Sequence, residues 1–314
     1  MSSTTPVSLH AGQAWKCITA PSSAWGASPF WDPQQERLYW VDSVQERIWR
    51  LHLPSGRSDL WQLTQAPGSL APCRSGALLM AMRNGILLSA SWQDVPQQIA
   101  VAPYDPVRQR FHGGQCDPWG RFWVGTRAES GEQAIGGLYC LRRRDRPHPE
   151  LLQVASGVVE SCGLAWSPDG RRLYWGDGQR GWIDTHALPS AGQYPPVLAN
   201  AQPFWRRQAA EPADGATLRP QGAAVDRLGR YWVALLDGGC LLCLDPQGQL
   251  LARIPTPVQR PTGLCFGGTD LRTLFLTTAR SGLDAQALKR HPDSGAVFAL
   301  RVEVPGLPVN RYED

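Results

Sequence analysis

The sequence predicts an all-β fold, a six-bladed β-propeller with a central channel, and three observations lead there. The composition is rich in turn formers and strand-filling aromatics, with 32 Gly, 27 Pro and 14 Trp against 3 Met. Gly and Pro interrupt elements often, and Trp suits a pleated, half-buried surface. One pattern, a tight turn followed by a short aromatic and aliphatic strand, recurs along the chain. Its six copies have strand centres 39 to 57 residues apart, room for about four strands and their turns, which is the size of a propeller blade.

The first copy runs from Asp32 to Asp42, where a Pro-containing turn leads into Leu38-Tyr39-Trp40-Val41. A weaker second copy spans Arg74 to Met80. The third, Asp117 to Gly125, the fourth, Ser167 to Asp177, and the fifth, Asp226 to Ala234, share a Gly-Arg step before the aromatic strand. The sixth, Gly267 to Leu276, is again weaker. In each, Asp, Pro or Gly supplies the turn and the following run supplies the strand. Further strands are expected at Arg47 to Leu51, Gly137 to Leu141, Cys240 to Leu244 and Ala296 to Leu300. A β-sandwich would contain similar turns but has no reason to repeat its sequence. The repeats read as one propeller. Its innermost strands would converge on the channel, so residues distant in sequence could form one pocket at the mouth.

Net charge is +4, and the basic residues are dispersed apart from Arg142, Arg143 and Arg144. That run reads as a solvated loop, and no nucleic-acid-binding module accompanies it. The 8 cysteines lack zinc-ribbon or disulfide-framework spacing. Cys240 and Cys243 form a CxxC, but on a strand their thiols should face opposite sides. The first residues lack the pattern of a secretion leader, and no window approaches the ~20 apolar residues of a membrane helix. The expectation is a soluble, cytoplasmic protein with reduced thiols and no nucleic-acid or membrane partner; oligomeric state is open.

Several motifs, in order, resemble the SMP-30/gluconolactonase/regucalcin family of lactone hydrolases. Trp25-Gly26-Ala27-Ser28-Pro29-Phe30-Trp31 is similar to its Leu-Gly-Glu-Gly-Pro-x-Trp element, and Arg110 to Arg121 to its Arg-x-Asn-Asp-Gly-x-x-Asp-x-x-Gly-Arg element. Gly125-Thr126-Arg127 stands for Gly-Thr-Met, Ser161-Cys162-Gly163-Leu164-Ala165-Trp166 for Ser-Asn-Gly-Leu-x-Trp, and Pro220-Gln221-Gly222 for Pro-Asp-Gly. Pro261 to Gly268 and Thr277 to Arg280 also match, and the resemblance spans about residues 16–302, leaving tails at 1–15 and 303–314. The resemblance implies a six-bladed propeller with a divalent cation (Ca, Mg or Zn) at the channel mouth, held by Glu, Asn and Asp from three blades. Those positions hold Ala27, Cys162 and Gln221 here, so both carboxylates that a hard cation needs are replaced and no metal is assigned.

The same positional carry-over puts His112 where the family contacts substrate through Asn. It retains Arg110 and adds Arg127, with Glu129 nearby as a partner for either. Two guanidiniums could hold an anionic group bidentately. Cys162 and His112 are then a candidate nucleophile and base, with a thiol pKa lowered by the imidazole and the arginines, and Gln221 a candidate oxyanion donor. Cys162 and His112 binding Zn²⁺ is an alternative. Trp25 and Trp119 are expected at the mouth. The polar stretch Gln202 to Thr217, with Glu211 and Asp214, could supply further carboxylates. Two function classes follow: a lactonase-like hydrolase acting on a small lactone or related anionic small molecule through a remodelled, metal-independent site, or a non-catalytic relative that binds a sugar-acid-like ligand or serves as a scaffold.

Overall fold

A computed structural model describes residues 14–142, 149–188, 196, 198–207 and 218–314. They form six four-stranded antiparallel sheets arranged in a ring. Each of the six sequence copies supplies the second strand of one blade: Arg37–Asp42, Leu78–Met82, Phe122–Ala128, Arg172–Asp177, Tyr231–Leu236 and Thr273–Thr278. These strands are buried almost throughout, because a middle strand is covered by the neighbouring blade on each face, whereas an outer strand such as Arg57–Gln62 exposes most of its residues. The ring closes between the ends of the propeller: Lys16–Cys17 pairs antiparallel with Phe298–Arg301 and completes the last blade.

Wedges of aromatic and aliphatic side chains fill the space between blades, and Trp40, Trp123 and Trp232 are fully buried there. The CxxC strand fits this arrangement. Cys240 packs with Tyr231 and Leu242 on one blade face, and Cys243 packs with Leu241 and Leu264 on the other. The described cysteines are all free, and among the described residues no helix is long and apolar enough to cross a membrane.

The innermost strands are Gly26–Asp32, Pro67–Pro72, Gln109–Cys116, Ser161–Trp166, Arg219–Val225 and Pro261–Gly267. Each starts at the channel mouth and runs to the far face, so its first residues line the mouth and the repeated turns lie at the opposite end. That corrects the expectation for Trp119. Its turn follows Cys116 at the far end of an eight-residue strand, so Trp119 packs between blades beside Gly170 and not at the mouth.

Residues beyond the last blade strand cross the far face. Gly306 bridges to Asp226 and Tyr312 to Cys73, Arg311 pairs with Asp32 at 3.0 Å, and the Glu313 amide donates to the Gly120 carbonyl. Leu307, Pro308, Val309 and Asn310 thereby floor a largely apolar channel cavity of about 230 Å³.

Candidate functional site at the channel mouth

Every innermost strand carries a register shift near its start: between Ala27 and Phe30, Pro67 and Ser69, Phe111 and Gly114, Cys162 and Ala165, Pro220 and Ala223, and Pro261 and Gly263. A bulge inserts an unpaired residue and re-aims its neighbours. Gly113 and Gly163, with φ of +67° and +68°, occupy two of these bulges, a backbone region that costs glycine nothing. Ser28 takes the same turn at φ +47°. The result is one cavity of about 60 Å³ lined by Ala27, His112, Cys162, Gln221 and Thr262, each from a different blade.

Two buried aspartates fix the loops feeding these strands. Asp42 accepts the Ala24 and Trp25 amides at 2.7 and 3.2 Å. Asp177 accepts those of Val159 and Glu160 at 2.8 and 3.3 Å. Both close the Leu-Tyr-Trp-x-Asp strand of their repeat, so the carboxylates are a sequence-visible clamp on the mouth.

Glu160 is the residue that motif reasoning missed. Its side chain is 1% exposed, yet its Oε1 lies 2.9 Å from Arg127 Nη1 and 3.5 Å from His112 Nε2. His112 Nε2 is also 3.3 Å from Gln221 Oε1. Arg127, His112 and Gln221 hold the Glu160 carboxyl below its ordinary pKa against the opposing effect of burial. Burial drives His112 the other way: desolvation lowers its pKa to about 4, only partly offset by Glu160, while Arg127 and Arg110 push in the same direction as burial. The imidazole is therefore neutral at neutral pH. A lone acid inside the apolar run Val158-Val159-Glu160 was the available signal.

Cys162 behaves differently from its sequence expectation. Its thiol is buried, and desolvation together with the Glu160 and Asp177 carboxylates raises its pKa well above the usual thiol range, the reverse of the expected lowering. The His112 Nε2 contacts go to Gln221 and Glu160 rather than to this sulfur. Gln221 is itself turned to His112 through its oxygen.

Arg110 and Arg127 are direct cross-strand neighbours. Each has its own carboxylate: Arg127 takes Glu160, and Glu129 lies 2.7 Å from Arg83 and 3.7 Å from Arg110. Glu129 thus joins Arg110 and Arg83, not Arg127. Further round the mouth Asp237 binds Arg219 at 2.6 Å and Arg260 at 2.9 Å, and Arg260 lies over the Trp25 ring at 5.3 Å. Trp25 is at the mouth but outside the cavity shared by His112, Cys162 and Gln221. Guanidiniums outnumber carboxylates in this array. His52 binds the hydroxyl of nearby Ser55, His291 faces the Pro257 carbonyl and His186 packs on Trp175; His10, His148, Arg143, Arg144, Glu211 and Asp214 lie outside the described residues.

A family profile described as the SMP-30/Gluconolactonase/LRE-like region matches residues 25–280. The chain belongs to that family. It is 37% identical to the 6-deoxy-6-sulfogluconolactonase of Pseudomonas putida over 93% of this chain and 96% of that protein. Identity to regucalcin of Gallus gallus is 28%, again over 93% and 96%. The crystal structure of a calcium-binding protein, regucalcin, from Agrobacterium tumefaciens superposes with a TM-score of 0.87 at 24% identity, covering 96% of this chain and 98% of that one; this likeness shows the fold.

The donors at the three motif positions do not suit a hard cation. Ala27 has none, Cys162 offers a buried, protonated thiol, and the Gln221 oxygen faces His112. Glu160, the buried carboxylate nearby, is engaged by Arg127. Among the described residues, no group of three or more His, Cys, Asp or Glu is arranged to hold a metal ion.

Proposed function

We propose that this protein opens a sugar lactone bearing an anionic substituent, at the channel mouth, without a metal-held water. Family membership makes it a lactonase-like hydrolase. The observation that carries the finer reading is the guanidinium array of Arg83, Arg110, Arg127, Arg219 and Arg260 around a mouth with fewer carboxylates. Such an array attracts anions from solution and can hold a carboxylate, phosphate or sulfonate by charge-assisted hydrogen bonds. The relative named for a sulfonated gluconolactone agrees with that chemistry. Donor chemistry at Ala27, Cys162 and Gln221 supports the metal-independent part.

The test compares hydrolysis of gluconolactone with that of analogues carrying a 6-sulfonate or a 6-carboxylate, with and without EDTA. The anionic lactones are expected to show at least about tenfold higher kcat/KM, on the basis of one charge-assisted contact, falling with salt and insensitive to EDTA. Equal rates on the neutral lactone would refute the anionic substrate, and EDTA-sensitive turnover would refute the metal-independent site. Binding of the lactones without turnover would favour a sugar-acid-binding protein instead.

A further inference from the structure

The hydrogen bonds around His112 fix more than its position. An imidazole has one donor and one acceptor nitrogen when neutral, and its neighbours decide which is which. His112 Nε2 faces two oxygens, Gln221 Oε1 at 3.3 Å and Glu160 Oε1 at 3.5 Å. A lone pair on Nε2 would be repelled by both, so the proton resides there.

Turning the Gln221 amide over does not provide an escape. Glu160 Oε2 and Gln221 Nε2 are both sealed from solvent without a hydrogen-bond partner. They border the small space left by Gly178, where an added Cβ would lie 3.0 Å from the first and 3.2 Å from the second. The present orientation sets the amide nitrogen beside the carboxylate, whereas the flipped one would set oxygen against oxygen. Arg127 Nη1, 2.9 Å from Glu160 Oε1, keeps that carboxyl ionised, and the Asp177 clamp on the Glu160 amide holds its backbone in place. Nδ1 is left with the lone pair. Among the described residues it has no hydrogen-bond partner, and it is not one of the atoms sealed from solvent.

We infer that Glu160, with Gln221, is a positioning residue that locks His112 as the Nε2–H tautomer, so that Nδ1 serves as the general base of lactone opening at the channel mouth. This rests on the lactonase reading above. Water attacks the lactone carbonyl carbon as Nδ1 takes one of its protons. The tetrahedral intermediate then collapses with cleavage of the bond to the ring oxygen, which leaves as an alcohol after receiving the proton back from Nδ1–H. The ring-opened hydroxy acid releases one proton to solvent on ionising. Cys162 forms no covalent bond in this sequence, and the Glu160 carboxylate stabilises the imidazolium while it exists.

The experiment has two parts. In ¹⁵N-histidine-labelled protein, with the His112 signals assigned by their loss in His112→Asn, long-range proton–nitrogen spectra are expected to show a protonated Nε2 and an unprotonated Nδ1. The reverse tautomer, or an even mixture, overturns the inference and needs no Glu160 variant to fold. In Glu160→Gln, kcat on the preferred lactone is expected to fall by about 10²- to 10⁴-fold, in the range of general-base and tautomer losses, with KM changed less than about threefold. Wild-type kcat in Glu160→Gln overturns the inference while leaving the lactonase reading intact. A wild-type protein that opens no lactone overturns that reading, and this inference with it.

Discussion

Breaking the buried carboxylate of one repeat turn should cost the propeller much of its margin. Asp226 is completely buried. Its Oδ1 accepts the Leu228 and Arg230 amides, each at 3.0 Å. Its Oδ2 accepts Arg230 Nε at 2.7 Å and Trp232 Nε1 at 3.1 Å. Asp226→Asn keeps the shape and the two backbone contacts, but places an NH₂ group against two donors and leaves the buried Arg230 guanidinium without its counter-ion. Removing one partner of a buried pair costs about 3–5 kcal/mol. With an unfolding entropy of about 2.1 cal/mol/K per residue, a chain of this length loses about 5–8 °C in Tm. Differential scanning calorimetry of wild type and variant reads this directly. The half-exposed pair of Asp270 and Arg301, 2.6 Å apart, is the control: Asp270→Asn should cost under about 1 kcal/mol. A Tm loss at Asp226 no larger than at Asp270 would refute the reasoning, because burial would then not be what gives the pair its weight.

Two further predictions concern acid and the far face. The folded His112 has its pKa lowered to about 4 from an ordinary value of 6.5, so the unfolded chain binds a proton first and stability drains away as pH falls from about 6.5 to 4. The cost approaches about 3 kcal/mol. Glu160, whose folded pKa is depressed, adds stability above its ordinary range that is lost as pH falls further. Urea midpoints measured between pH 7 and 4 should drop less steeply in His112→Asn than in wild type, and equal slopes would contradict the assignment. Tyr312 is fully buried among Phe111, Phe122 and Tyr139, and its amide donates to the Pro72 carbonyl. Tyr312→Ala should destabilise by about 3–5 kcal/mol, as other large aromatic truncations do; a midpoint unchanged in urea would mean that the crossing segment is not part of the folded core.

The sequence by itself determined the ring. Local turn chemistry and an aromatic strand recur in the copies around Trp40, Trp123, Trp175 and Trp232, and a repeat that must bury two faces leaves few architectures. The family resemblance, carried over motif by motif, also placed Ala27, His112, Cys162 and Gln221 together at one mouth. Tertiary structure decided the chemistry. Whether a thiol is acidic depends on the charges and desolvation around it, and at Cys162 the nearby charges are carboxylates rather than cations. Glu160 precedes its motif and gained meaning only when the two flanking blades brought Arg127 and Gln221 to its side. Trp119 was misplaced because a repeat gives the order of turns and strands but not the end of the channel that each turn faces; the length and direction of Gln109–Cys116 settled that. Packing of segments far apart in sequence fixes both distance and dielectric, and these set the pKa values, tautomers and ion pairs on which a site's function depends.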